Sequence, residues 1–214
     1  CFFTNAFRCG KIKKIAHPPY QSKISETSES SIYPILIGIG CFSFYKKEVF
    51  TMQILFFRHS MTAGNFERRY LGCKTDEPLC PEGIAFATQQ AKQISFPLPE
   101  QVFVSPMRRC RETASILFPN LKQQIHPDLR ECDFGMFEGK NYRELSNCPE
   151  YQAWIDSGGT LPFPDGESRE QFLTRSCAAV SEIVQTCKSD RIAIVAHGGT
   201  MMAVFSACEM HHKS

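Results

Sequence analysis

The sequence predicts a three-layer α/β/α sandwich built on a mostly parallel central sheet. Short β-compatible runs at 53–57, 101–104 and 191–196 alternate with helical stretches, the pattern of a parallel sheet covered on both faces. Within those runs the apolar residues are nearly unbroken, as strands buried on both sides require. Two of the runs also end abruptly in histidine followed by small residues, and the carboxyl ends of such strands are where ligands sit.

Taken in order, residues 1–51 are unlike the rest. They start at Cys1 and carry Lys11, Lys13 and Lys14, then a Ser/Glu-rich piece from Ser25 to Ser31 without helical or strand periodicity. Their one apolar run, Ile32 to Tyr45, contains Pro34 and two glycines and is shorter than the roughly 18–20 residues that span a bilayer. The segment is read as an N-terminal extension, disordered or outside the natural product, with Met52 as the natural start. The alternative reading is a weak membrane anchor.

From Met52 to Ser214 no repeat or linker intervenes, so 52–214 is read as one domain. The first strand delivers Arg58-His59 to the turn that follows. Residues 66–79 are rich in turn formers. Pro81-Glu82 opens a helix with Ile84, Ala87, Ala91 and Ile94 on one face. Gln101–Val104 is a strand ending in Ser105-Pro106, and a helix runs from Met107 to Phe118. Pro127 to Gly139 reads as strand plus loop, and Tyr142 to Ser157 as a polar stretch with one or two short helices. Pro164 to Ser168 turns into the longest helix. There Leu173, Cys177, Val180, Val184 and Cys187 recur at steps of four and three, a stripe that faces a core. Asp190 leads into the last strand, and Thr200 to Cys208 closes the chain as a helix.

Composition narrows the function. Apolar residues make up 43% and charged residues 21%, which suits a protein with a real core. The net charge is +2 and the basic residues are not gathered into one block, so no nucleic acid partner is expected. The 11 cysteines are odd in number, irregularly spaced and without a Cys-x-x-Cys pair, which argues against both a disulfide framework and a zinc site. Reduced thiols acting as small hydrophobes fit a cytoplasmic protein. No membrane partner is expected, and the sequence carries no signal of an oligomeric state.

Three constellations carry chemistry. Arg58-His59 is followed by Ser60, Thr62 and Asn65, whose small side chains, hydroxyls and backbone N–H groups allow close approach to an oxyanion. His197-Gly198-Gly199 repeats the arrangement at the end of a second strand. Arg108, Arg109 and Arg111 then stand in the first turns of a helix, where cations oppose the macrodipole unless an anion shares the place. His59 and His197 are therefore expected to meet, with arginines, around a phosphoryl group. Glu131, Asp133 and Glu138 lie in a loop with aromatics and glycines, where a carboxyl can hold a proton near neutral pH. The residues alone do not choose among the three.

Residues 52–208 resemble the histidine phosphatase superfamily, in the branch with phosphoglycerate mutases. The likeness is carried by Arg58-His59 with Thr62 and Asn65, by Ser105 to Arg109 with Thr113-Ala114, by Leu129-Arg130-Glu131 through Gly139, by Pro164 to Ser168, and by His197-Gly198-Gly199. Thr75 to Leu79 and the Phe134 to Gly139 run look most like the small bacterial phosphatases, the alpha-ribazole phosphatases of cobalamin biosynthesis among them. The resemblance implies a phosphoglycerate mutase-like fold and metal-independent hydrolysis of a small-molecule phosphate ester, with no cofactor. It implies His59 as nucleophile forming a phosphohistidine and Glu131 as proton donor and acceptor. Arg58, Arg109 and His197 would bind the phosphoryl oxygens, and Asn65, Thr62, Ser60 and Gly198 would be substrate contacts. A phosphoglycerate-mutase-type phosphotransferase and a non-catalytic phospholigand-binding protein are the rivals. Two departures stand out. Ser60 replaces the family's usual Gly, which predicts either backbone strain or a hydroxyl that joins the anion site. Family members also run on for another strand or two, so 52–214 is read as truncated at its C-terminus.

Overall fold

A computed structural model of the chain describes residues 35–37, 41–44, 52–94 and 97–210. Its sheet has six strands in the order β1-β2-β3-β6-β4-β5: β1 (Ile35–Ile37), β2 (Cys41–Phe44), β3 (Gln53–Arg58), β4 (Gln101–Val104), β5 (Gln123–Ile125) and β6 (Arg191–Ala196). β3, β6, β4 and β5 are parallel, and β1 and β2 add an antiparallel pair outside β3. Both of these added strands fall in the segment that the sequence reading took as an extension, within its apolar run Ile32 to Tyr45. Their pairing satisfies the backbone groups of the β3 edge. The remainder of residues 1–51 lies outside the described residues.

Among the described residues six helices accompany the sheet: α1 (Ala63–Phe66), α2 (Pro81–Ala91), α3 (Arg108–Leu117), α4 (Pro149–Asp156), α5 (Arg169–Thr186) and α6 (Gly198–Met210). Side-chain alternation along the strands divides the core into two layers. Ile54, Phe56, Ile192, Ile194 and Ala196 face Ala179, Val180 and Ile183 of α5 and Met201 and Val204 of α6. Leu55, Phe57, Val102, Val104, Ala193 and Val195 face Cys110, Ala114 and Leu117 of α3. A strand covered on both sides must be apolar at every position, which is why these runs lack a polar alternate. A third cluster of Phe134, Phe137, Trp154 and Phe163 anchors the excursion between β5 and α5.

Three local readings need correction. The strand expected within 127–139 lies earlier, as β5, and Pro127–Leu129 and Gly135–Phe137 are short 3-10 turns instead. Ile84 is exposed, because α2 turns Gly83 and Ala87 inward. The stripe on α5 is shifted: Phe172, Ser176, Ala179, Val180 and Ile183 are buried, while Leu173, Val184 and Cys187 sit at its margin.

Register places the site. Arg58 pairs with Ala196 across β3 and β6, so His59 and His197, each one residue beyond, leave the sheet side by side. Val104 pairs with Val195, which puts Ser105 at the same rim.

Candidate active site

The two imidazoles meet as expected, with ring centroids 5.2 Å apart and planes inclined at 63°. His59 is nearly buried, and its Nδ1 lies 2.7 Å from the Ser60 carbonyl oxygen. A carbonyl can only accept, so Nδ1 carries the proton and the lone pair is left on Nε2. Burial first, then the Arg109 charge and more weakly that of Arg58, lower the His59 pKa to about 3 against the opposing pull of the Ser60 carbonyl. His197 is fully buried and held well below its ordinary value, by burial first and then by Arg109. Its Nε2 stands 2.7 Å from Ser105 Oγ. Ser105 Oγ accepts the Met107 N–H at 3.3 Å, which leaves the hydroxyl proton to point at the ring.

Among the described residues, Arg109 is the largest fully buried side chain. Its guanidinium donates to the carbonyls of Thr75 at 2.7 Å and of Leu71 and Gly72 at 3.1 Å, while Nε has no partner. A cation so enclosed at a helix start, with its Nε–H unused, suits an anion held between it and the histidines. Arg108 is turned outward to Glu112 at 2.7 Å, and Arg111 is exposed, so one of the three arginines serves the site. Arg58 crosses Gly198, where a Cβ would lie 3.4 Å from its Nε.

The three acids differ in their partners. Glu138 accepts from the Gly72, Lys74 and Phe134 N–H groups and from the Thr75 hydroxyl, which ties the two loops together. Asp133 caps Gly135 and pairs with Lys74 at 3.0 Å. Both lie within 4.8 Å of Cys73 in a metal-like cluster, yet these donors occupy their oxygens. Glu131 alone reaches the histidines' rim. Its Oε2 accepts the Gly199 N–H of α6 at 3.2 Å and its Oε1 the Cys132 N–H at 3.0 Å. Burial raises its pKa, opposed by those N–H groups and by Arg109 and Arg58.

Among the expected ligand contacts, Thr62 is fully buried and its hydroxyl caps α1, so it shapes the loop instead of facing a ligand. Asn65 closes that capping box through Oδ1, 3.0 Å from the Thr62 N–H, which leaves its amide NH₂ at a cavity of about 220 Å³ shared with Arg58 and His59. Ser60 is not strained: among the described residues, the non-glycine positions with left-handed φ are Arg68 and Asp165. Its N–H goes to Thr113 Oγ1 at 3.0 Å and its hydroxyl to the Gly83 carbonyl at 2.8 Å, so both donors are directed away from the anion site. Gly198 opens α6, whose first-turn N–H groups have no partner within the helix. The sequence reading counted Thr113 in the family likeness but gave it no role; it accepts from Ser60 and donates to the Arg109 carbonyl at 2.7 Å, joining the His59 loop to α3. A buried threonine in a helix gives no local signal of that role.

The buried neutral imidazoles predict acid sensitivity. Below about pH 6.5 the unfolded chain binds protons that folded His59 and His197 refuse, so stability is complete above that pH and falls as pH drops toward 3. At pH 5 the penalty from His59 alone is about 2 kcal/mol. The raised Glu131 works the other way, since the folded state holds its proton above the unfolded pKa, but it is one group against two. Urea midpoints at pH 7 and pH 5 should therefore fall with acid, and less so in His59→Gln. Equal acid sensitivity in both proteins would contradict the assignment.

Comparison with known proteins adds a lineage to this geometry. The sequence profile of the histidine phosphatase superfamily (branch 1) matches residues 54–213. The metal-independent phosphoserine phosphatase of Arabidopsis thaliana is 29% identical over 169 residues, covering 75% of this chain and 70% of that protein. A phosphoglycerate mutase from Thermus thermophilus superposes with a TM-score of 0.58 at 30% identity, over 73% of this chain and 84% of its own. The alpha-ribazole phosphatase of Shigella flexneri shares the fold with a TM-score of 0.66 at 24% identity, over 75% and 84% of the two chains. Among the described residues, no helix is long and apolar enough to cross a membrane.

Proposed function

The chain belongs to the histidine phosphatase superfamily, branch 1, and from that premise we propose that it hydrolyses small organic phosphomonoesters, without a metal, through a phosphohistidine. The observation that carries this reading is the His59–His197 pair at 5.2 Å beside a buried arginine and a buried carboxyl whose pKa burial raises. Residues 52–214 form the catalytic domain of a cytoplasmic enzyme in this reading. The names of the relatives support a small phosphate ester as substrate, and they diverge on which one.

In the first step the Nε2 lone pair of His59 attacks phosphorus, an N–P bond forms, and the ester P–O bond breaks. Glu131, protonated, gives its proton to the departing alkoxide. In the second step water attacks phosphorus, Glu131 takes the water proton, and the N–P electrons return to Nε2 as inorganic phosphate forms. Throughout, Arg109, Arg58 and His197 donate to the phosphoryl oxygens, which a dry, preorganised site makes effective. Asn65 and the Gly198 N–H add further contacts. Ser60 and Thr62 act by shaping the loop. Burial first, then Arg109 and Arg58, keep His59 neutral, so the nucleophile needs no separate base at pH 7.

The test is turnover of a panel containing p-nitrophenyl phosphate, phosphoserine, 3-phosphoglycerate and alpha-ribazole phosphate, with and without chelator. Chelator-resistant phosphate release, with an acid-labile, base-stable phosphoenzyme trapped by rapid quench, is expected. Transfer between positions of the glycerate without net release would instead identify a mutase. Binding without either reaction would identify a phospholigand-binding protein.

A further inference from the structure

Arg175 stands on α5, outside the phosphoryl cage, yet all five of its N–H groups are committed. Nε and one Nη donate to the two carboxylate oxygens of Glu167, each at 2.8 Å. The other donors go to the carbonyls of Asp128 at 2.8 Å, Arg130 at 3.1 Å and Glu131 at 3.4 Å. Glu167 continues the clamp past the acid, accepting the Asp133 N–H at 2.9 Å, and its own N–H donates to the Asp133 carbonyl at 2.9 Å. Both side chains are almost enclosed, with 11% and 16% exposed. The backbone is thus gripped immediately before Glu131 and two residues after it.

We propose that Arg175, locked by Glu167, is the positioning residue for the general acid: it fixes the curvature of residues 128–133 that aims the Glu131 carboxyl at the leaving oxygen. The assignment rests on the hydrolytic reading above. Its physical basis is the guanidinium fork. Five coplanar donors can hold three carbonyls and a carboxylate in one geometry, whereas a lysine has three donors around a single point. The charge of Arg175 is taken up by Glu167, so its influence on Glu131 is one of position. Proton donation to a leaving group depends on that position, because the carboxyl must come within hydrogen-bond reach of the oxygen it protonates. Attack by His59 does not depend on it, since His59, Arg109 and His197 are held from β3, α3 and β6.

That separation gives a readout that a merely structural role would not move. p-Nitrophenolate leaves with little help from an acid, whereas an alkoxide leaves poorly without one. First-turnover phosphorylation of the enzyme is measured with p-nitrophenyl phosphate and with glycerol 2-phosphate. In Arg175→Lys the rate with glycerol 2-phosphate should fall about 30-fold while that with p-nitrophenyl phosphate stays within about threefold, and KM for both should change little. Glu167→Gln should show the same leaving-group bias more weakly, and it decides the matter if Arg175→Lys does not fold. Equal losses on both substrates, or a lowered burst amplitude with unchanged rates, overturn the positioning role while leaving the hydrolytic reading intact. Wild-type protein that never forms a phosphoenzyme overturns the hydrolytic reading itself, and this proposal with it.

Discussion

His59→Ala is expected to lower phosphomonoester turnover by roughly 10⁴-fold or more and to abolish the trapped phosphoenzyme, because in the proposed reaction it removes the atom that bonds to phosphorus. The assignment depends on the tautomer. With Nδ1–H held by the Ser60 carbonyl at 2.7 Å, Nε2 is the only nitrogen of that ring able to attack. His197 has no such freedom, since its Nε2 faces Ser105 Oγ at 2.7 Å and Cys110 Sγ lies 3.5 Å from the same atom. Burial pushes the Cys110 thiol up to about 12, so it stays protonated and does not compete as a nucleophile. His197→Ala should therefore slow the reaction by about 10²–10³-fold, the usual cost of one donor to developing charge, but still give a phosphoenzyme. Phosphoenzyme in His59→Ala and none in His197→Ala would reverse the two roles.

The parts of the site visible in the sequence are those fixed by strands. An apolar run that ends in Arg58-His59, and another that ends in His197, each state where a buried strand reaches a rim. Parallel register then brings the two together without help from any loop. What the residues could not decide was which acid serves the site, because that depends on pairings far apart in the chain. Glu138 is taken by Gly72, Thr75 and Lys74 from the preceding loop, and nothing near Glu138 announces it. Glu131 was named from the family motif, not from its own surroundings. Arg175 went unread for a similar reason: in a helix of mixed polarity an arginine beside the apolar stripe looks solvated. The offset of that stripe has the same origin, since Ser176 and Ala179 are small enough to lie against the sheet and carry little apolar signal. Ser60 shows the converse. Its departure from glycine suggested either strain or a hydroxyl in the anion site, whereas its backbone avoids the left-handed region and its hydroxyl ties the His59 loop to α2.

Arg109→Met should cost about 3 kcal/mol of transition-state stabilisation, a fall of roughly 10²-fold in kcat/KM, and should also remove the stabilisation that inorganic phosphate gives to the fold. Methionine matches much of the buried volume and avoids desolvating a charge, so core packing survives better than with alanine. The substitution leaves the carbonyls of Leu71, Gly72 and Thr75 without their donor, which loosens the loop carrying them, at about 1–3 kcal/mol for each group left dry. Because loop loosening alone could lower activity, phosphate binding is the deciding measurement. In wild-type protein, millimolar phosphate should raise the melting temperature, as any ligand of the folded state does, and in Arg109→Met that rise should vanish. Arg109→Lys should recover little, since a point charge cannot serve three carbonyls and an anion together. Losing the guanidinium also removes the second-largest influence that holds His59 and His197 neutral, so both rings should titrate at higher pH in the variant, visible by NMR. An undiminished phosphate shift in Arg109→Met would place the anion elsewhere, and the cage of two imidazoles and a buried guanidinium would have to be abandoned.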